Sequence, residues 1–143
     1  MKEALSVTVE AAPEAADVQF LNQRLLEYNL QYTEEDGYCP LAVLLRDADR
    51  HIVGGLMGVT FWGWLHIDVL WVREDLRGAG HGGELLRLAE EEAARRGCHD
   101  VCVETHTFQA LPFYEQRGYA VYGQLRGFPR PYVKYFLYKP LNG

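Results

Sequence analysis

Val69-Leu70-Trp71-Val72-Arg73-Glu74-Asp75-Leu76-Arg77-Gly78-Ala79-Gly80-His81-Gly82-Gly83-Glu84-Leu85-Leu86 decides how the rest of the chain is read. An apolar run closes on Val72, and a charged connection follows. Four of the six positions from Gly78 to Gly83 are glycine, and Leu85 and Leu86 then open an amphipathic stretch. The pattern predicts a strand, a loop and a helix. The first N–H groups of a helix lack internal partners and sit at the positive end of its dipole. Glycines there remove the Cβ atoms that would hold a ligand away, so the turn is expected to take an anion on bare amides.

The identity of that anion narrows quickly. A Walker loop is excluded because no Gly-Lys-Ser/Thr closes the turn. Gly78-x-Gly80-x-x-Gly83 does satisfy the dinucleotide pattern, and Asp100 lies downstream where a ribose-binding acid belongs. Against it, five residues (Arg73 to Arg77) separate Val72 from the first glycine, and the chain lacks repeated strand–helix units. A small NAD-dependent oxidoreductase is therefore a rival reading only.

Outward from the turn, the helix runs to about Arg96, with Leu85, Leu86, Ala89 and Ala93 on one face and Gly97 as its stop. Val101 to Thr105 reads as a strand, Gln109 to Arg117 as a helix with Pro112 in its first turn, and Tyr119 to Gly123 and Val133 to Lys139 as strands. Residues 124–131 read as a loop held irregular by Gly and Pro. Upstream, Leu65 to Val72 follows a tight Phe61-Trp62-Gly63-Trp64 connection. Leu41 to Leu45 and Ile52 to Thr60 make a hairpin, in which Gly54, Gly55 and Gly58 suggest a bulge or a close backbone neighbour. Leu5 to Val9 alternates as a first strand. Pro13 opens a helix whose Val18, Leu21, Leu25 and Tyr28 form a core face, and residues 30–39, polar and turn-rich, read as a loop or a broken second helix.

The whole chain, 143 residues with 48% hydrophobic and 24% charged content, is expected to be one globular α/β domain spanning 1–143. A net charge of -6 argues against nucleic acid and is compatible with an amine or cationic substrate. Met1-Lys2-Glu3-Ala4 lacks the apolar core of a signal peptide, and no run approaches the ~18 apolar residues of a membrane span. No membrane partner and a cytoplasmic location are expected. Cys98-His99 with Cys102 invites a zinc reading, but Cys98 follows Gly97, Cys102 lies in an apolar run and no second ligand pair follows. No metal is expected, and the cysteines should behave as small buried hydrophobes.

Val72-Arg73-Glu74-Asp75-Leu76-Arg77-Gly78-Ala79-Gly80-His81-Gly82 resembles the signature of the GNAT superfamily of acyl-CoA-dependent N-acyltransferases, Arg/Gln-x-x-Gly-x-Gly/Ala after a strand ending in Val. Ala110-Leu111-Pro112-Phe113-Tyr114-Glu115-Gln116-Arg117-Gly118-Tyr119 resembles the family's Ala-x-x-Phe-Tyr-x-x-x-Gly-Phe/Tyr block. The resemblance implies an α/β (α+β) GNAT-like domain, a mixed and mostly antiparallel sheet of about six to seven strands flanked by about four helices. It implies an N-acetyltransferase moving an acetyl group from acetyl-CoA to a primary amine, on a small molecule or a peptide, by direct attack in a ternary complex. A non-catalytic CoA-binding module is the rival outside enzymes.

Carried over by position, the backbone N–H groups of Gly78, Ala79, Gly80, His81, Gly82 and Gly83 would hold the pyrophosphate, with Arg77 leading them in. Backbone groups of Leu70 and Val72 would pair with pantetheine as a neighbouring strand does, with Trp71 between them in the cofactor-binding set. Thr107 stands where the family often carries Asn and would offer its hydroxyl to a pantetheine amide. Phe113 joins the cofactor-binding set, and Tyr114 matches the tyrosine facing the sulfur, its plain alternative being a core residue. The place of the family's usual Glu falls on His66. Asp68 lies two residues on, and strand alternation puts it on one face with His66, Leu70 and Val72. Asp68 is expected to orient the amine or relay its proton with His66, unless it is simply tied to a neighbouring backbone group or Arg. Glu104 is a further candidate, sharing a face with Cys102. Trp62, Trp64, residues 30–39 and Arg126 to Tyr132 should ring the open side, either as acceptor contacts or as the contact of a homodimer.

Overall fold

Largely apolar runs from Cys39 onward build an antiparallel meander of three strands, β1 (Cys39–Arg46), β2 (Ile52–Phe61) and β3 (Trp64–Val72). The β1–β2 turn is closed by Asp47, whose side chain accepts from the His51 N–H at 2.9 Å and whose carbonyl accepts from Arg50. The computed structural model describes residues 3–34 and 37–141, and the chain divides into two compact units, Met1–Asp36 and Gly37–Gly143.

The second unit holds the sheet. After β3 comes a short 3₁₀ turn (Glu74–Leu76), then α2 (His81–Arg95), β4 (Asp100–His106), a one-turn α3 (Leu111–Glu115), β5 (Ala120–Arg126) and β6 (Val133–Pro140). The strand order is β1-β2-β3-β4-β6-β5, with β3 and β4 the parallel pair and every other pairing antiparallel. A parallel pair needs a crossover, which α2 supplies. Its Leu85, Leu86, Ala89 and Ala93, spaced to share one helical face, are buried in one cluster with Leu56, Leu65, Ile67, Val101, Val103 and Leu137. Each fully buried leucine of this layer contributes about 1.5–3 kcal/mol. Gly97, at φ +86°, ends the helix, and Cys98 N–H returns to the Ala93 carbonyl at 2.9 Å. The sheet is mixed and mostly antiparallel, as expected, with six strands; the described residues form three α-helices rather than the four or so expected.

The first unit departs from expectation. Its helix, α1 (Ala15–Asn29), forms, but Val18, Leu21, Leu25 and Tyr28 are exposed rather than buried. Residues 3–10 adopt no regular structure despite the alternation of Leu5 to Val9. The physical reason is the same for both. Among the described residues of this unit there is one helix and no strand, so no second layer of the unit covers the stripe and no ladder partner completes a sheet edge. Glu35 and Asp36, central to the expected 30–39 loop, and Met1 and Lys2 lie outside the described residues.

Candidate active site

Only four residue pairs, Trp64–Ile67 with Asp100–Val103, join β3 to β4. Beyond them the strands part, β3 staying with β2 and β4 with β6. Between them opens a cleft of about 850 Å³. Asp68 to Val72 line one wall and Val103, Glu104 and Thr105 the other. The turn from Gly78 to Gly83 lies at one end, joined by Phe113, Tyr114 and Arg117.

The parting coincides with a bulge. Met57 pairs with Val69 and Gly58 with Ile67, which leaves Asp68 without a partner on β2. A Cβ on Gly58 would lie 2.4 Å from the His66 carbonyl oxygen, so this close approach requires glycine. The extra residue reverses the alternation. Leu65 and Ile67 before it, and Leu70 and Val72 after it, all pack on the core side. The expected sharing of one face by His66, Asp68, Leu70 and Val72 is therefore corrected: Asp68 goes with His66, and the two apolar residues lie opposite.

On that far face His66 is held between two acids. Its Nδ1 lies 2.9 Å from Asp68 Oδ1 and its Nε2 lies 2.6 Å from Glu104 Oε2. The Nε2–Glu104 contact is a hydrogen bond whose direction follows the imidazole tautomer, and the Nδ1–Asp68 pair is a close side-chain contact. Lys134 Nζ stands 3.8 Å from the other Glu104 oxygen. Asp68 and Glu104 line the cleft, whereas His66 stands behind them.

At the opposite end, Gly78 (φ +81°) and Gly80 (φ +88°) are left-handed, and a Cβ on either would meet nothing within 4 Å. These two glycines are needed for backbone conformation. Gly82 and Gly83 serve another purpose, because Cβ atoms there would come to 3.3 Å from the Phe113 ring and 2.8 Å from the Arg117 guanidinium. The first turn of α2 closes on the Glu84 N–H to the Gly80 carbonyl at 3.1 Å, so the N–H groups of His81, Gly82 and Gly83 precede any intrahelical bond. Gly78, Gly80, His81, Gly82 and Gly83 line the cleft; Ala79 does not.

The wall between these ends presents main chain. Arg73 N–H donates to Val53 at 2.8 Å, which in an antiparallel ladder turns the polar groups of Val72 and Leu70 away from β2 and toward the cleft. The Val72 carbonyl accepts from Arg77 Nε at 2.8 Å, leaving the Val72 N–H and both Leu70 groups to meet a ligand. Trp71 and Phe113 also line the cleft. Thr107 does not: its hydroxyl donates to the Val133 carbonyl at 3.1 Å and accepts from the Val133 N–H at 2.9 Å, closing the β4 end onto β6.

Tyr114 is buried, its ring edge-on to Phe113 and Tyr119, and it reaches the cleft wall. Burial pushes its phenol up to about 12. Tyr119, donating to Glu90 at 2.7 Å, is also raised, by burial first and then by the Glu90 charge. Cys102 is pushed up to about 11 by burial, then by Glu104 and Asp68, which keeps it a thiol and unsuited to nucleophilic attack.

Residues 8–119 match the Acetyltransferase (GNAT) family. The chain belongs to that family. It is 37% identical over 121 residues to an acetyltransferase of Agrobacterium fabrum, covering 85% of each chain. To a blasticidin-S acetyltransferase of Streptomyces morookaense it is 41% identical over 91 residues, 63% of this chain and 67% of the other. A crystal structure of an Agrobacterium tumefaciens protein superposes with a TM-score of 0.89 at 32% identity, over 95% of this chain and 99% of that one. As a GNAT acetyltransferase the protein is an acyltransferase, and its single parallel strand pair gives no dinucleotide crevice of the oxidoreductase kind.

Sequence reasoning placed the turn, Tyr114 and Asp68 at this cleft but passed over Leu76, Phe108, Gln109 and Arg117, which also line it. Arg117 carried a signal, a cation inside the Ala110–Tyr119 block, whereas Phe108 and Gln109 carried none. Trp62 and Trp64 sit at the other end of β3, Trp64 edge-on to His99, and do not line the cleft. Tyr132 does approach it, edge-on to the lining Phe108, while Phe128 packs near His106. Among the described residues, the trio close enough to share a metal ion is Asp47, Asp49 and His51 on the exposed hairpin turn, not the Cys98–Cys102 segment.

Proposed function

We propose that the protein transfers an acetyl group from acetyl-CoA to the primary amine of a small cationic molecule, by direct attack in a ternary complex. The observation that carries this reading is the parting of β3 and β4, with bare amides at one end of the gap and acids at its middle. The donor set fits coenzyme A. Oriented N–H groups suit a diphosphate, and the free main-chain groups of Leu70 and Val72 suit the amides of pantetheine. Acetyl-CoA would supply an activated thioester.

The amine must lose a proton to attack. Asp68 is the group that takes it. Both acids line the cleft, but Glu104 has Lys134 Nζ at 3.8 Å from one oxygen and the His66 ring at 2.6 Å from the other. His66 and Glu104 are positioning residues that hold Asp68. Tyr114 supports the departing sulfur. With its phenol at about 12 and an ordinary thiol near ~8.5, full proton transfer runs uphill by roughly 3 to 4 units, so the phenol acts as a hydrogen-bond donor.

The acceptor class draws on the blasticidin-S acetyltransferase relative, the acids at the cleft and the net charge of -6. We treat residues 1–143 as one functional domain, since the family match over 8–119 runs across the junction of the two units. The free thiols of Cys39, Cys98 and Cys102 suit the cytosol.

Thiol release from acetyl-CoA, measured over a panel of amines that includes blasticidin S, tests the proposal. Amine-dependent release is expected. Binding of CoA with no turnover on any amine would favour the regulatory module, and thermal stabilisation by NAD but not CoA would overturn the assignment.

A further inference from the structure

Arg117 follows α3 and reaches back across the start of α2. Its guanidinium carbon lies 3.9 Å from the centre of the Phe113 ring, and Nη1 donates to the Phe113 carbonyl at 3.0 Å. An ideal Cβ on Gly83 would stand 2.8 Å from Nη2 and 3.1 Å from Nε. The guanidinium therefore lies against the first helical turn, beside the amides of His81 to Gly83, and lines the cleft.

A cation in that position is at odds with its surroundings. The start of α2 already carries the positive end of the helix dipole, which favours anions there. Among the described residues Arg117 has no carboxylate partner, and its polar contact is the Phe113 carbonyl. Glu84, the acid in the first turn of α2, is held by Arg87 through both oxygens, at 2.7 and 3.0 Å. Stacking on Phe113 fixes the guanidinium plane, and one of its five N–H donors is engaged there. A preformed fork of donors thus stands next to an array of free amides, both facing an open cleft.

We infer that Arg117 is a binding residue for the diphosphate of coenzyme A, its fork donating to one phosphate while the amides of α2 hold the other. The inference rests on the proposed use of acetyl-CoA. It also accounts for Gly83, where any side chain would displace the guanidinium, and for arginine over lysine, since a planar fork can make paired bonds that a point charge cannot.

The test compares the binding of CoA and of dephospho-CoA, which lacks the 3′-phosphate, by calorimetry on the wild type, Arg117→Met and Arg117→Lys. Methionine keeps an apolar stem over Phe113, and the lysine variant keeps the charge should the first fold poorly. Both ligands should bind Arg117→Met about tenfold to a hundredfold more weakly, to the same degree, with a shallower salt dependence. Arg117→Lys should fall between. Unchanged affinity with a lowered melting temperature would make Arg117 a clamp on Phe113 and overturn the inference. Weakened CoA binding with dephospho-CoA spared would overturn it in favour of the 3′-phosphate. A wild type that binds neither ligand removes the acetyl-CoA reading itself, before any variant is compared.

Discussion

The two ends of the cleft are built by different means. At the α2 end the binding groups are main-chain amides, and two left-handed glycines, Gly78 and Gly80, aim them. At the β3–β4 fork the reactive groups are side chains, and what aims them is register: one unpaired residue on β3 sets Asp68 beside His66, and the pairing of β3 with β4 brings Glu104 to the same ring. The difference teaches where each kind of site is written. Main-chain recognition is encoded within a few consecutive residues. Side-chain chemistry depends on segments far apart in the chain meeting in one alignment.

The comparison breaks most visibly at Asp68. Removing the group that takes the amine's proton, in Asp68→Asn, should lower kcat/KM at neutral pH by about a hundredfold or more. The loss should shrink as pH rises, because the acceptor amine then arrives already neutral. CoA affinity should hold, since the diphosphate end is untouched. Glu104→Gln should cost about tenfold, as expected of a group acting through His66. Tyr114 adds no limb to these profiles in the neutral range, its phenol being pushed up to about 12. A pH profile of Asp68→Asn parallel to that of the wild type would remove Asp68 from the reaction.

Next in size is Gly58→Ala, which attacks the register itself. The new Cβ would meet the His66 carbonyl oxygen at 2.4 Å, and backbone on either side must shift. A loss of about 1–3 kcal/mol is expected, read as a melting temperature lowered by roughly 5 °C. Activity should fall more than CoA binding, since His66 and Asp68 flank the strained point. A silent Gly58→Ala would mean that the bulge does not fix the trio.

Gly58 also shows how much of this site could be read in advance. The run Gly54-Gly55-x-x-Gly58 signalled a bulge or a close neighbour, and both are present. What the run could not reveal is which residue opposite would be left over, because that depends on β2 and β3 settling into one alignment. Simple alternation therefore placed Asp68 with Leu70 and Val72, on the wrong side of the sheet from them. The glycine turn and the α2 core face of Leu85, Leu86, Ala89 and Ala93 were legible because each is set by local geometry. Thr107 was misread for the opposite reason: its hydroxyl is claimed by Val133, a residue no local pattern could bring to it. The stripe of α1 was legible as a helix but not as a buried one, since burial belongs to whatever covers a face and not to the face.

The smallest effect sharpens the comparison from the other end. Gly80→Ala places a Cβ in open space, so its cost comes from the backbone alone, about 1–2 kcal/mol for a left-handed residue with a side chain. The turn can respond in two ways. If it keeps its shape, the strain appears as lowered stability and CoA affinity is unchanged. If it relaxes, stability is largely kept, the N–H groups of His81 to Gly83 lose their aim, and CoA binds up to about tenfold more weakly. The Gly80 carbonyl is held by the Glu84 N–H at 3.1 Å, so relaxation by rotation of the preceding peptide, with open space around the new Cβ, is the expected course. Melting temperature and CoA affinity measured on the same preparation separate the two responses. Under either response kcat at saturating acetyl-CoA should stay near wild type, because the proton-handling groups are aligned by strand pairing and not by this turn. A drop in kcat at saturation would show that the amide end also sets the geometry of the chemistry, and the two ends would then have to be treated as one device.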